Sequence, residues 1–170
     1  GEEALNLIAH SAAQAAARLQ AFRLAYGAGG RDPSIKPEDV HETFGELIAG
    51  DGKVKQDWNP RGDLGFAERP VGFCKMLMAG LMLAQECLPR GGTIKVEAAG
   101  DNKTHLIAEG TDAHPRAQVE EAMARTLSPD NLDPRLVHPY ALSLLAESYG
   151  FTFSIAEKGN GRVVLELRKN

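Results

Sequence analysis

LMLAQECLPRGGTIKVEA, residues 81–98, decides the fold. Its first half is a helix surface: Leu81, Met82, Leu83 and Leu88 are apolar, and nothing before Pro89 breaks the pattern. Pro89-Arg90-Gly91-Gly92 cannot continue a helix. Thr93 to Ala99 then alternates in the two-residue period of a strand. A helix therefore feeds straight into a strand across a four-residue turn. Traced backward, the helix reaches Pro70 and adds Val71, Phe73, Met76, Leu77 and Met78. Apolar residues cover most of its circumference, so it is expected to be buried between a sheet and other helices.

Downstream, Asp101-Asn102-Lys103 reads as a hairpin turn and His105 to Ala108 as the returning strand. Pro115 to Leu127 reads as a polar, mobile helix. Asp133-Pro134 caps another helix, which carries Tyr140, Leu142, Leu144, Leu145 and Tyr149 and stops at Gly150. Phe151 to Ala156, a turn at Lys158-Gly159-Asn160-Gly161, and Arg162 to Leu167 make a final hairpin. Upstream, Ser34 or Lys36 can cap a helix that opens with Pro37 and places Val40, Phe44, Leu47 and Ile48 on one face. Gly50-Asp51-Gly52 ends it, and Val54 to Trp58 alternates like a strand. The order is helix, strand, helix, two strands, two helices, two strands. This is an α+β chain whose helices cover one face of a mixed sheet, a two-layer α/β sandwich.

Before all this runs Glu2 to Tyr26. Leu5, Ile8, Ala12, Ala15, Leu19, Phe22 and Tyr26 alternate three and four apart, the heptad of a coiled coil or bundle. Such a helix, roughly 35–40 Å long at 1.5 Å per residue, wants a partner over its stripe. A glycine-rich hinge, Gly27 to Pro33, follows it. The expected division is residues 1–30 as dimerisation helix and hinge, and 31–170 as the α/β domain. Leu5, Ile8, Ala12, Ala15, Leu19 and Phe22 are the expected dimer interface.

Composition narrows the partners. The net charge is −4 with a pI near 5.7, and phosphate backbones need clustered Lys and Arg, so nucleic acid is not expected. No stretch is apolar enough to span a membrane. Cys74 and Cys87 lie in the apolar helical stretch and read as buried thiols of a cytoplasmic protein.

Two stretches resemble known proteins. LMLAQECLPRGGTIKVEA (81–98) resembles the Asn-box helix and following strand of histidine-kinase ATPase domains. HPYALSLLAESYGFTFSIAEKGNGRVVLELRK (138–169) resembles their last helix and hairpin. The resemblance implies a GHKL-type (Bergerat) fold, but a degenerate one. Where the kinases place a metal-binding Asn before Ala, this chain has Leu83 before Ala84, and Ala79 one turn earlier; leucine cannot ligate a hard cation. The adenine-binding Asp-x-Gly-x-Gly turn is reduced to LIAEGTDAHP (106–115), with Gly110 alone. A Gly-rich lid is replaced by NLDPRLVHP (131–139), with no glycine.

AQAAARLQAFRLAYGAGG (13–30), Asp57-Trp58, LPRGG (88–92) and LDPRLVHPYALSLLAESYG (132–150) are similar to the alphaproteobacterial ChpT-type histidine phosphotransferases. That resemblance implies a homodimer in which two helical hairpins form a four-helix bundle. A histidine in a His-Asp-x-x-Ser-Pro-like motif would pass phosphoryl groups between receiver domains of response regulators and of a hybrid kinase. It implies no cofactor beyond the Mg2+ that the receiver brings. The motif is absent here. The first helix matches the second helix of the family's hairpin, so the phosphoacceptor helix is expected upstream of Gly1, with no catalytic residue in residues 1–170.

Among the histidines, His10 sits at the exposed f position of the heptad. It reads as a surface residue on the wrong helix, although it is the one alternative phosphoacceptor. His41 is expected to be solvated, His105 to face outward, His114 to lie in a loop, and His138 to cap or pack. None has metal-ligand spacing backed by a third ligand, so no metal or cofactor site is expected. Arg18 and Arg23 read as solvated. Two other functions stay open: an ATP-using histidine kinase or other GHKL ATPase, and a dimeric docking adapter that carries no phosphate.

Overall fold

The computed structural model describes residues 1–27 and 34–170. Five helices and five strands follow in order: α1 (Glu2–Tyr26), α2 (Pro37–Ala49), β1 (Val54–Gln56), α3 (Phe73–Glu86), β2 (Gly92–Ala98), β3 (Lys103–Glu109), α4 (Val119–Met123), α5 (Val137–Tyr149), β4 (Phe151–Gly159) and β5 (Arg162–Lys169). The sheet order is β1-β2-β3-β5-β4. β1 runs parallel to β2, and every other pairing is antiparallel. The mixed sheet with helices packed on it is the α+β two-layer sandwich expected from residues 81–98.

α3 is the centre of the molecule. Every residue from Met76 to Ala84 is buried, and Ile94, Leu106, Leu165 and Leu167 face it from the sheet with no exposed surface. Gly80 marks the closest approach: a Cβ there would lie 2.9 Å from the side chains of Leu106 and Phe153. The turn out of α3 depends on Gly92, at φ +147°, where a Cβ would fall 2.1 Å from the Glu109 carbonyl oxygen. No other residue fits that conformation and that space.

The outer face of the sheet is polar around a small apolar centre. Ile107 and Val164 stand opposite each other in register and are buried. Lys95–Glu109, His105–Glu166 and Arg162–Glu157 pair beside them.

Several expectations change. α3 starts at Phe73, not Pro70, because Gly72 takes a left-handed conformation at φ +87°. The strand expected over Val54–Trp58 closes after Gln56. The helix expected over Pro115–Leu127 shrinks to Val119–Met123, bracketed by positive φ at Gln118 and Arg125. It is anchored, with Val119 and Ala122 buried. Asp133 caps a 3-10 turn, Pro134–Leu136, by accepting from the Arg135 N–H, and α5 begins only after it. α2 is capped at Lys36, whose N–H donates to the Asp39 carboxylate at 2.8 Å. Of the expected hinge, only Gly27 is within the described residues.

On α1 the structure adds a second face to the one read from sequence. Its buried residues are Ala17, Ala21 and Ala25, spaced four apart and packed toward α2 and α3. The heptad stripe is not the covered face. Within one chain, Leu5, Ile8, Leu19 and Phe22 are 68%, 65%, 52% and 45% exposed.

Candidate functional site

α1 presents two surfaces. The alanine face lets the helix backbone come close to the domain, as small residues do at tight helix contacts. The larger apolar side chains, Leu5, Ile8, Leu19 and Phe22, with Ala12 and Ala15 between them, point away and are exposed. These are the residues expected at the dimer interface, and the structure leaves their stripe open. Phe22 is shared between the two surfaces: it stacks on Tyr26 and meets the His138 ring edge-on at 6.3 Å.

Beside α1 lies a groove of about 700 Å³. Arg18 lines it from α1, Gln85 and Glu86 from the end of α3, Arg116 from the segment before α4, and Asp133 and Arg135 from the turn before α5. This is the end of the helix that resembles the kinase Asn-box. The position matching the metal ligand, Leu83, is 1% exposed, and Ala79 has no exposed surface. What the helix turns toward the groove is a carboxylate. Glu86 Oε2 bonds His138 Nδ1 at 3.0 Å, and its Oε1 lies 4.0 Å from Arg116. Arg135 is held by the Asp133 carboxyl at 2.9 Å, and these hydrogen bonds depress that carboxyl to about 2. The groove's charges therefore largely answer one another.

The histidines separate by surroundings. His10 is exposed on α1, as expected. His41 is half-buried rather than solvated: its ring meets Trp58 edge-on at 5.0 Å, and burial lowers its pKa. Gln56 couples the two by donating to the His41 carbonyl while accepting from the Trp58 indole. His105 faces outward and pairs with Glu166 at 3.1 Å. His114 is exposed in its loop. His138 packs, against Phe22 and Tyr26. Its Nε2 and the Tyr26 hydroxyl are buried without a hydrogen-bond partner among the described residues. Burial, and then the Glu86 charge, push the Tyr26 hydroxyl upward.

Cys87 is buried and Cys74 partly so, and they are not bonded to each other. Burial pushes their thiols up to about 12 and about 11. Among the described residues no group of three His, Cys, Asp or Glu side chains could hold a metal ion, and no helix is long and apolar enough to cross a membrane. Arg18 reads from sequence as a solvated side chain, and the structure gives it a place on the groove wall. Sequence reasoning missed Glu86 and Lys75 altogether. Glu86 carried no signal, because its partners lie 30 and 52 residues away. Lys75 could have been noticed as the lone cation inside an otherwise apolar helix.

Residues 37–161 match the family described as histidine phosphotransferase C-terminal domain. The chain is 29% identical over 158 residues to the protein phosphotransferase ChpT of Brucella abortus (strain 2308), covering 91% of this chain and 73% of that one. A solved bacterial phosphotransferase superposes with a TM-score of 0.77 at 26% identity, over 98% of this chain and 79% of its own. The family match spans most of the chain, from α2 to the turn before β5, and on it the chain belongs to the histidine phosphotransferases of ChpT type.

Proposed function

We propose that the chain is part of a dimeric phosphorelay protein that moves phosphoryl groups between receiver domains without using ATP. The observation that carries this reading is the end of α3. Leu83, at the position that resembles the kinase metal ligand, is buried in the core, and Glu86 lines the groove beside it. A buried leucine offers no ligand to magnesium.

The relay needs little from this domain. Phosphohistidine already holds a labile N–P bond. Transfer breaks that bond and forms an O–P bond on the receiver aspartate, while the receiver's own Mg2+ neutralises the phosphoryl oxygens. The transferase has to present an exposed imidazole and hold the receiver in line with it. In this reading the phosphoacceptor lies on a helix paired with α1. The stripe Leu5, Ile8, Ala12, Ala15, Leu19 and Phe22 closes the four-helix bundle against that helix and the second copy. Residues 1–30 then serve as the dimerisation helix and hinge, and 31–170 as a degenerate GHKL-type domain that supplies part of the docking surface.

The test uses the full-length protein. Incubated with a phosphorylated receiver, it should become labelled on histidine and pass the label to a second receiver. With radiolabelled ATP and Mg2+ it should stay unlabelled, and calorimetry should detect no micromolar nucleotide binding. Labelling from ATP would overturn the proposal in favour of a kinase. Receiver binding with no transfer in either direction would leave an adapter.

A further inference from the structure

α3 carries one lysine, Lys75, and it is 3% exposed. A buried ammonium is expensive unless something compensates it. Among the described residues it makes no ion pair. Its Nζ instead donates to the Gly27 carbonyl at 2.6 Å and reaches the Leu24 carbonyl at 3.5 Å. The Leu24 oxygen belongs to the last turn of α1, where helix carbonyls have no intrahelical donor, and Gly27 is the C-cap that follows it in extended backbone. The last-turn carbonyls of α1 also carry the negative end of the helix dipole, which attracts cations. Lys75 thus caps α1 from inside the neighbouring helix.

Other contacts hold the same half of α1. Ala17, Ala21 and Ala25 are buried. Phe22 and Tyr26 flank His138 of α5. Gln14 lies so close to Gly50, just after α2, that a Cβ on Gly50 would fall 2.5 Å from its amide nitrogen. Three helices thus grip α1 from Gln14 to Gly27, ahead of the glycine-rich segment that reads from sequence as a hinge. By contrast, residues 1–13 are exposed throughout.

We propose that Lys75 is a positioning residue: it locks α1 to the α/β domain as one rigid body, so the bundle and the domain meet a receiver at one fixed angle. The consequence for the receiver rests on the relay reading above; the lock itself does not. An ATP-using kinase must carry its nucleotide domain to its own histidine. A relay that needs only docking gains by holding both halves of the docking surface in place, because preorganisation lowers the cost of binding.

The experiment places nitroxide labels on the full-length protein through Gln20→Cys on α1 and Asp101→Cys in the β2–β3 turn, both exposed positions. Excess unlabelled chain keeps each dimer to one labelled copy. Pulsed electron resonance should give one narrow distance in the native background. With Lys75→Met, which keeps the volume and removes the donor, the distribution should broaden. The same variant should raise the KM for a phosphorylated receiver about fivefold with little change in kcat. Lys75→Arg, still a donor, should restore the narrow distance. Far-UV circular dichroism checks that each variant is folded, and Lys75→Gln replaces the Met variant if that one is not. A broad or split distance in the native chain, or a narrow one in the folded variant lacking the donor, overturns the lock. Broadening in the Arg variant as well would assign the effect to packing and overturn the role of Lys75. If the native chain accepts no phosphoryl group, the relay reading fails and the distances alone decide the lock.

Discussion

Glu86 at the end of α3 and His138 in the first turn of α5 share a hydrogen bond of 3.0 Å between Oε2 and Nδ1. The pair sits between the groove and α1, because the other side of the His138 ring is covered by Phe22 and Tyr26. One contact thereby joins three helices. Glu86 still lines the groove, with its Oε1 4.0 Å from Arg116.

Removing Glu86 leaves His138 Nδ1 without its partner in a mostly buried place. An unsatisfied buried polar group costs about 1–3 kcal/mol. Glu86 is 28% exposed, so water can reach part of the gap and the lower half of that range applies. Glu86→Ala should lower the melting temperature by roughly 2–6 °C for a chain of this size. Glu86→Gln, still an acceptor, should lower it less. Scanning calorimetry decides; an unchanged midpoint in the alanine variant would mean that the pair contributes nothing.

The exposed stripe on α1 makes a separate prediction about assembly. Leu19 is 52% exposed in one chain. In the full-length protein Leu19→Asp, which puts an unpaired charge into an apolar seam, should give monomers by light scattering at micromolar concentration with circular dichroism unchanged. Phe22→Asp should also give monomers but lose stability, since Phe22 packs on His138 within the chain. A dimer that survives both changes removes the stripe from the interface.

The order of elements was legible because each change of period is abrupt, as at Pro89-Arg90-Gly91-Gly92. α3 was legible as buried because apolar residues surround it. The alanine face by which α1 packs on the domain was not. A heptad stripe and an alanine stripe run along the same helix, and periodicity ranks the larger side chains first. Which face the domain takes depends on how closely α3 can approach, and only alanines permit that contact. Leu83 was legible as a core residue of α3. The groove was not, because Arg18, Glu86, Arg116 and Arg135 come from four distant segments. Positive φ at Gln118 and Arg125 had no glycine to announce it, so the helix after Pro115 read too long.

The two thiols set an alkaline limit on stability. Burial raises Cys87 from 9.0 to about 12 and Cys74 from 9.0 to about 11. Between the unfolded and folded values the native state holds protons that the unfolded chain releases. Stability is therefore complete below about pH 8.5 and falls as pH rises through 9 and above, by at most about 1.4 kcal/mol per unit for each thiol. Urea midpoints at pH 7.5, 9 and 10 should decline, and Cys87→Ala should flatten the decline after its own offset for lost packing. An identical slope in the variant would show that Cys87 titrates as it does in the unfolded chain.

Placing the kinase-like asparagine at position 83 should not create a nucleotide site. Leu83→Asn puts back the side chain that the resembling kinases use for magnesium, yet Leu83 is 1% exposed and belongs to the core. The substitution removes a buried leucine and leaves an amide without partners, which together cost roughly 3 kcal/mol or more. The amide would still have to turn out of the core to reach a ligand, and Glu86 would still face the groove. The variant should therefore melt about 6 °C or more below the native protein and show no heat of binding with ATP and Mg2+. Leu83→Asn combined with Glu86→Lys removes that carboxylate as well and is the stricter trial. Micromolar affinity in the single variant would mean that the α3 end is a nucleotide site disabled by one residue. The absence of binding in both would mean that the end of α3 serves packing and not nucleotide binding.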